Sequence, residues 1–277
     1  MATRQPTITT TARPSATPPK RKARPKRLYA PKPGPKIKFP TNLPYEDGEP
    51  LESDWHRTEI GLLVDVIKQH RRERQDFYAG GNMFVYYSSE QIRNRDYRGP
   101  DFFIVLDVDG TYERKSWVVW EEEGRYPNVI VELLSPKTAE ADKTTKKQLY
   151  AHTFRTPNYF YYDPDSGELV GFELTGNEYQ ELQPNAQGWL WCSELQLWLG
   201  TWQGEYQEWP AKWLRFYTPE GIPLPTHAEA EQQRAEAERQ RAEVERQRAE
   251  RAEETLQRWR ERLLALGIDP TSLNQEQ

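Results

Sequence analysis

The residues of this chain that could do chemistry begin with an acidic side chain inside its most apolar run. Glu132 interrupts the apolar segment 129–134, and Asp101 follows a proline about two predicted strands earlier. A charged carboxylate buried in an apolar strand costs on the order of several kcal/mol unless a cation or hydrogen bonds compensate for it. Carboxylates on neighbouring strands are also the oxygen ligands that Mg²⁺ prefers. The pair therefore predicts a divalent-metal site, and the alternative is a Glu that faces solvent near a strand end.

A helix predicted from Thr138 to Phe154 directly follows the strand that carries Glu132. Asp142, Lys146 and Tyr150 recur at every fourth position, and this spacing places them on one face of that helix. We expect this face to bring the Lys146 ammonium towards Glu132, where a cation can stabilise negative charge or help a water to lose its proton. A solvated Asp–Lys pair is the common alternative explanation of the same spacing.

The composition divides the chain into three parts. Residues 1–40 contain eleven Lys and Arg, nine Pro and no acidic residue, and a segment of this composition cannot bury enough apolar surface to fold. We expect residues 1–40 to be a disordered basic arm, 41–226 to be one α/β domain and 227–267 to be a charged helix. The whole chain has a net charge of −5, so the part after the arm is strongly acidic. The arm is a candidate for phosphate contacts that an acidic domain repels, with solubility as its alternative role.

Several classes of protein are excluded by what the sequence lacks. The one cysteine, Cys192, rules out an internal disulfide, and the four histidines have no zinc-type ligand spacing. We expect no cleavable signal peptide, because no apolar region follows the first basic residues, and no apolar run approaches the length of a membrane span. No phosphate loop, dinucleotide fingerprint or serine-hydrolase elbow occurs. We therefore expect a cytoplasmic protein without a membrane partner.

The elements around the candidate residues are predicted from hydrophobic periodicity. A first amphipathic helix runs from about Asp54 to His70, with Asp54 as its N-cap. Strands are predicted over residues 77–87, 101–108, 116–121, 128–134, 159–162, 168–174 and 179–183, with further strands through 189–206. The order of helix, strands, helix and strands predicts an α/β domain built on a mixed sheet.

The C-terminal helix is predicted from a seven-residue Glu/Arg repeat that begins at Ala230. The alanines of the repeat are spaced two and five apart, which disfavours a regular coiled coil there. Apolar residues do follow a spacing of three, four and three near the end of the helix, at Leu256, Trp259, Leu263 and Leu266, and Gly267 marks its stop. We expect this end to form a homodimer or to bind a partner, and a solvated helix is the alternative.

Six short motifs of the chain occur in an order and spacing that resemble the Uma2 family of bacterial proteins. They lie within about residues 50–215 and read SDWH (53–56), GNMF (81–84), GPD (99–101), VELLSP (131–136), the Asp142/Lys146/Tyr150 face and YYDP (161–164). The Glu/Arg-rich tail also resembles one that often follows this domain.

The resemblance to Uma2 implies a fold and a metal site. The family is assigned to the PD-(D/E)XK nuclease superfamily, which implies a restriction-endonuclease-like mixed sheet flanked by helices. It further implies that Mg²⁺, or Mn²⁺ in its place, is bound by the carboxylates of Asp101 and Glu132 and by the backbone carbonyl of Leu133. The expected function is a Mg²⁺-dependent DNA endonuclease that hydrolyses phosphodiester bonds.

The same resemblance implies that the catalytic residues are Asp101, Glu132 and Lys146. The superfamily has a lysine two positions after the glutamate, where this chain has Leu134. In Uma2-like proteins a lysine on the following helix is thought to replace it, and Lys146 matches that position.

Alternatives to these assignments remain open. Lys143 and Lys147 are close to Lys146 in sequence but do not share its helix face. His56 and Glu59 on the first helix are further candidates, for which placement at a helix end or on the surface is the more common explanation. The rival function is a non-catalytic interaction protein that keeps the nuclease fold and binds a partner through its C-terminal helix.

Overall fold

A computed structural model describes Leu43, residues 53–88, Gln91 and residues 99–266 of this protein. The chain divides into two units, Met1–Phe39 and Pro40–Gln277, and every described residue belongs to the second. The predicted basic arm and the predicted helix stop at Gly267 therefore lie outside the described residues. Within the described part of the chain, no helix is both long enough and apolar enough to cross a membrane.

Three helices and eleven strands make up the described domain. Helix α1 is Asp54–His70, and helix α3 is His227–Ala265. Helix α2 is continuous from Ala139 to Phe154 and alternates between α and π turns, with the π turns at Asp142–Lys146 and Tyr150–Phe154. The strands are β1 Phe77–Gly80, β2 Val85–Tyr86, β3 Phe102–Leu106, β4 Trp117–Val118, β5 Val129–Leu133, β6 Asn158–Tyr162, β7 Leu169–Thr175, β8 Glu178–Glu181, β9 Leu190–Cys192, β10 Leu197–Tyr206 and β11 Trp209–Tyr217.

A six-stranded mixed sheet forms the centre of the domain, with the strand order β1-β3-β5-β6-β7-β8. Strands β5 and β6 are parallel, and the other neighbours in this sheet are antiparallel. Parallel neighbours require a crossover connection, and α2 supplies it between β5 and β6. The predicted α/β class with a mixed sheet flanked by helices is therefore confirmed.

The middle strands of the central sheet, β3, β5 and β6, are buried on both faces. Alternate residues of β3 and β5, including Phe102 and Val131, pack against the apolar stripe of α1 and against the three-stranded sheet β11-β10-β9. The intervening residues, including Phe103 and Ile130, pack under α2 and beside the two-stranded pair β2-β4. Burial on both faces explains why these two strands read as continuous apolar runs.

The base of α3 is fixed to the domain, and the rest of the helix is exposed. Thr226 and Glu229 form a capping box at its start, and Arg215 of β11 makes an ion pair with Glu229 at 2.8 Å. The backbone N–H of His227 donates to Asp65 of α1 at 3.1 Å. Along the described part of α3, Ala230 is the one buried residue.

Two expectations from the sequence are wrong, and one strand of the structure has no predicted counterpart. Ser53, not Asp54, is the N-cap of α1, because its hydroxyl accepts from the backbone N–H of His56. The single strand predicted over 77–87 is split into β1 and β2, which belong to different sheets. Strand β11 lies beyond the last predicted strand, which ends at residue 206; its Pro210 is tolerated because β11 is an edge strand.

The chain between β1 and β2 requires a glycine at position 81. A Cβ at Gly81 would collide with the backbone oxygen of Asp101 and with the side chain of Ile60, so Gly81→Ala should lower the free energy of unfolding by about 1–3 kcal/mol. Gly61 in α1 is the matched control, since a Cβ there meets nothing within 4 Å. Gly61→Ala should raise stability by about 0.5–1 kcal/mol because alanine favours the helix. Urea denaturation of both variants measures the two effects, and equal stabilities would contradict the close approach at Gly81.

Candidate active site

The pairing of β3 with β5 brings Asp101 and Glu132 together. Phe102 lies opposite Val131 in this antiparallel pair, so one further step places Asp101 opposite Glu132. Residues opposite each other on neighbouring strands have their side chains on the same face of a sheet. That face is the one covered by α2, and the two carboxylates therefore lie beneath this helix.

Glu132 is fully buried, with 0% of its surface exposed, so the solvent-facing alternative is wrong. Its Oε1 accepts a hydrogen bond from the hydroxyl of Tyr150 at 2.6 Å. Its Oε2 accepts from Nζ of Lys146 at 3.1 Å and from the backbone N–H of Asp101 at 3.4 Å. Three donors thus compensate for the buried carboxylate.

Lys146 connects Glu132 to a third carboxylate, that of Asp142. The ammonium lies 2.7 Å from Oδ1 of Asp142, whose side chain is 1% exposed, and 15% of the Lys146 side chain reaches solvent. Apart from Lys146, neither oxygen of Asp142 has a hydrogen-bond partner among the described residues, so Lys146 is its compensating charge. From the sequence, Asp142 and Tyr150 only defined the helix face; the structure adds that both belong to the group around Glu132.

The alternation of α and π turns in α2 explains how one helix face aims three side chains at a single point. In a regular α-helix each step of four residues turns about 40° past a full circle, so Tyr150 would be displaced by about 80° from Asp142. Wider π turns take up this drift. The carbonyl at the first π turn, that of Asp142, accepts a hydrogen bond from the hydroxyl of Tyr159 at 2.8 Å.

The two neighbouring lysines of α2 point elsewhere. Lys143 lies 3.6 Å from Glu168 and over the ring of Tyr161. Lys147 lies over the ring of Phe172, with 3.5 Å between Nζ and the ring centroid. Of the three lysines in this helix, Lys146 is the one that contacts Glu132.

The backbone of Leu133 faces Asp101. Its N–H donates to Oδ2 of Asp101 at 2.7 Å, whereas the N–H of Leu134 donates to Tyr162 on the other side of the strand. The N–H and C=O groups of one strand residue point to the same side. The carbonyl of Leu133 is therefore directed to the edge where Asp101 lies, which is the arrangement that its expected role as a ligand requires.

The hydrogen bonds described for His56 and Glu59 are to residues outside this group. Oε2 of Glu59 accepts from the backbone N–H of Leu214 at 3.0 Å and thereby joins α1 to β11. Burial is the main cause that raises the pKa of Glu59 to about 8, against the opposing effects of that hydrogen bond and of Arg215. His56 lies at the start of α1, where its Nδ1 is 2.8 Å from the Ser53 hydroxyl.

The charges beneath α2 favour retention of protons. Burial raises the pKa of Glu132 to about 8; Lys146 opposes this shift, and Asp101 and Asp142 add to it. Burial also raises the pKa of Asp101 to about 6, against the effect of Lys146 and of the Leu133 N–H. Although burial disfavours the Lys146 ammonium, the carboxylates of Glu132, Asp142 and Asp101 hold the pKa of Lys146 above its ordinary value. Three carboxylates thus share one ammonium, and the group lacks positive charge.

The donor set fits a hard divalent cation. All the candidate ligands are oxygens, and the buried Oδ2 of Asp142 has no hydrogen-bond partner among the described residues. In the described part of the chain, no set of three or more His, Cys, Asp and Glu side chains has the geometry of a metal cage. Mg²⁺ usually takes only one or two carboxylates and keeps several waters, so a cage is not required. Asp101 and Glu132, together with the carbonyl of Leu133, would hold such an ion.

Comparisons with known proteins point to one family. The model of the Uma2 family, described as "Putative restriction endonuclease", matches residues 30–203, a range that includes Asp101, Glu132 and Lys146. No curated protein sequence matches the chain. One similar solved structure is described as a "putative nuclease belonging to DUF820" from Anabaena variabilis ATCC 29413. It has 18% sequence identity and a TM-score of 0.35, and the match covers 52% of this chain and 78% of that one.

The raised pKa values predict how stability depends on pH in the absence of metal. A carboxyl whose pKa is higher in the folded than in the unfolded state stabilises the fold below its unfolded pKa and loses that contribution as the pH rises through its folded pKa. The melting temperature in EDTA should therefore fall between about pH 4.5 and pH 8, where Asp101 and Glu132 ionise. Glu132→Gln removes one of these titrations, so the melting temperature of this variant should fall less steeply as the pH rises.

Thermal melts of the parent and of Glu132→Gln across this pH range measure the difference. Glu178→Gln, on an exposed position of β8, is the matched control and should behave like the parent. Identical pH profiles for all three proteins would show that Glu132 does not hold a proton in the metal-free fold.

Proposed function

The chain belongs to the Uma2 family, and from this premise we propose that it is a divalent-metal-dependent DNA endonuclease that hydrolyses phosphodiester bonds. The observation that supports the proposal is the group of Asp101, Glu132 and Lys146 at one end of β3 and β5. Such a group combines oxygen ligands for a cation with an ammonium next to them. The description of the family supports a nuclease. That the chain uses Mg²⁺, acts on DNA and does so through these residues is our proposal.

Asp101 and Glu132 would hold the cation, with the Leu133 carbonyl as the third protein ligand. In that site Mg²⁺ or Mn²⁺ would supply a Lewis acid for the phosphate and would make the attacking water more acidic. The raised pKa values of both carboxyls mean that the metal-free group retains protons, which a cation displaces on binding. Metal binding should therefore be stronger at higher pH.

Lys146 stabilises the negative charge that develops on the phosphate. An ammonium has three N–H donors, and Glu132 and Asp142 accept two of them. The third is available to a phosphate oxygen, and the 15% exposure of this side chain allows contact with a substrate. Asp142 and Tyr150 are positioning residues, because Asp142 fixes the ammonium and Tyr150 fixes the Glu132 carboxylate.

A second candidate function is a non-catalytic interaction protein that binds a partner through α3. The exposed apolar side chains at the end of this helix favour it: Leu256 and Trp259 are each 59% exposed, and Leu266 is 69% exposed. Self-association through this end remains a prediction. It is compatible with nuclease activity, so only an inactive parent protein would favour the second candidate over the first.

Glu132→Gln should abolish Mg²⁺ binding and leave the fold intact. The amide keeps the volume of the side chain but loses the negative charge that attracts the cation. Calorimetric titration with Mg²⁺ measures the affinity, with Glu178→Gln as the control that keeps the site. Parent-like Mg²⁺ binding by Glu132→Gln would mean that Glu132 is not a ligand.

Lys146→Ala should reduce turnover of DNA by about a hundredfold or more, because it removes the cation next to the reacting phosphate. Its Mg²⁺ affinity should hardly fall or should rise, since a positive charge near the site opposes cation binding. Lys143→Ala is the matched control on another face of α2 and should keep nearly full activity. The measurement is the cleavage rate at saturating Mg²⁺ or Mn²⁺.

Equal rates for the two lysine variants would move the catalytic role away from Lys146. No cleavage by the parent protein with either metal, on single-stranded or double-stranded DNA, would contradict the nuclease proposal as a whole.

A further inference from the structure

A cavity lined by cations lies at the other end of the central sheet from Glu132. Its volume is about 630 Å³, and the end of α1, strand β1 and residues 110–114 bound it. Phe77 of β1 pairs with Leu106, so the cavity is at the C-terminal end of β3, whereas Asp101 immediately precedes the N-terminal end. The five residues of β3 span about 17 Å. The cavity is therefore separate from the carboxylate group.

Two of the five cations that line the cavity are fully occupied by acidic partners. Arg74 makes two hydrogen bonds to the carboxylate of Asp76, at 2.8 and 2.6 Å. Arg114 makes two to Glu122, at 2.6 and 3.0 Å. These two arginines form part of the cavity wall, and most of their N–H donors are already bonded to carboxylates, so they contribute little to ligand binding.

The other three cations, Lys68, Arg71 and Arg72, lack comparable partners. Arg72 is 3.9 Å from Glu73, a loose contact between exposed side chains. In the described part of the chain, no carboxylate makes an ion pair with Lys68 or Arg71, and the buried Nε of Arg71 has no acceptor. A buried guanidinium N–H without an acceptor is costly, and a bound anion would relieve this cost.

The surroundings of Arg71 increase its need for an anion. Burial, followed by the positive charge of Arg74, lowers the pKa of Arg71 below its ordinary value, and the carboxylate of Asp76 opposes this shift without reversing it. Its guanidinium lies 5.6 Å from the ring centroid of Phe77, a contact that holds it against β1 without neutralising it.

The dipole of α1 does not account for all five cations that line the cavity. Cations in the last turn of a helix are favoured by the dipole, and this explains Lys68. Arg72 lies beyond the end of α1 at His70, and Arg114 comes from a separate segment. The Arg114 guanidinium stacks 3.7 Å from the ring centroid of Tyr112, so the wall opposite α1 is built by residues distant in sequence.

We infer that Lys68, Arg71 and Arg72 bind phosphate groups of a nucleic-acid backbone, as a second contact remote from the carboxylates. The inference rests on the proposed function, since it assigns a further part of the same substrate. Guanidinium groups match phosphate geometry, and a local positive patch is what an otherwise acidic domain needs to hold a polyanion. With a rise of 3.4 Å per base pair, a separation of about 17 Å corresponds to about five base pairs.

The test is DNA binding by the full chain in EDTA, where no cleavage occurs, across a series of salt concentrations. Lys68→Gln/Arg71→Gln/Arg72→Gln should bind a duplex about tenfold more weakly than the parent. The slope of the logarithm of the binding constant against the logarithm of the salt concentration should be lower in magnitude by about one or two. The charge-matched control is Arg234→Gln/Arg246→Gln/Arg248→Gln, whose arginines make ion pairs within α3. The control should bind like the parent.

Equal affinity and slope for the two triple variants would overturn the inference. If the triple variant unfolds, Lys68→Gln/Arg72→Gln replaces it, because both side chains are exposed, and it should show the same change in smaller degree. Competition by inorganic phosphate distinguishes a site for free phosphate from a site for the phosphate groups of a nucleic-acid backbone. Loss of phosphate binding with unchanged DNA affinity would show a small-anion site and overturn the assignment to nucleic acid.

Cleavage assays with Mg²⁺ test the proposed nuclease activity separately from DNA binding through the cavity. A parent that binds DNA through the cavity but does not cleave it contradicts the nuclease proposal and leaves the phosphate contact standing. A parent that cleaves DNA and binds it independently of these cations contradicts the inference alone.

Discussion

The burial of Glu132 among the apolar residues of β5 is the constraint on which the arrangement of this domain depends. A lone carboxylate at that depth would cost on the order of several kcal/mol, and the protein surrounds it with Tyr150, Lys146 and the Asp101 N–H. These donors do not complete the compensation, because Asp101 and Asp142 bring two further carboxyl groups. Burial is the main cause of the raised pKa values of Asp101 and Glu132, and the neighbouring carboxyl groups add to it. This excess of acidic groups is the basis of the proposed divalent-cation site.

Each element around Glu132 contributes to this arrangement in a specific way. The antiparallel register of β3 and β5 sets Asp101 opposite Glu132, and the parallel pairing of β5 with β6 requires the crossover that α2 provides. The π turns of α2 keep its polar stripe over one point. Gly81 lets the chain between β1 and β2 pass against the backbone of Asp101, where any side chain would collide. The fold therefore positions the group through backbone geometry as much as through side-chain contacts.

Hydrophobic periodicity was enough to predict α1, β3 and β5, whose burial is one-sided or complete, whereas the spacing of polar residues predicted α2 and the Glu/Arg repeat predicted α3. It could not decide whether Glu132 faces solvent or the interior, because the strand is apolar on both faces and alternation carries no information there. The break at Gly81 depends on contact with a strand twenty residues away, and the edge position of β11 depends on its neighbours in the sheet. The cavity at the end of α1 was missed for the same reason: its basic run, KQHRRER at 68–74, is visible in the sequence, but the wall that Arg114 builds opposite it is not.

The most direct measurement of the central claim is anomalous diffraction from crystals of the parent protein soaked in Mn²⁺. We expect a single strong peak between Asp101 and Glu132, about 2.0–2.2 Å from a carboxylate oxygen of each and close to the carbonyl of Leu133. Lys146 should remain next to the ion without coordinating it. A saturated soak with no peak at these carboxylates, or with the ion bound elsewhere in the domain, would contradict the assignment of this group as the metal centre.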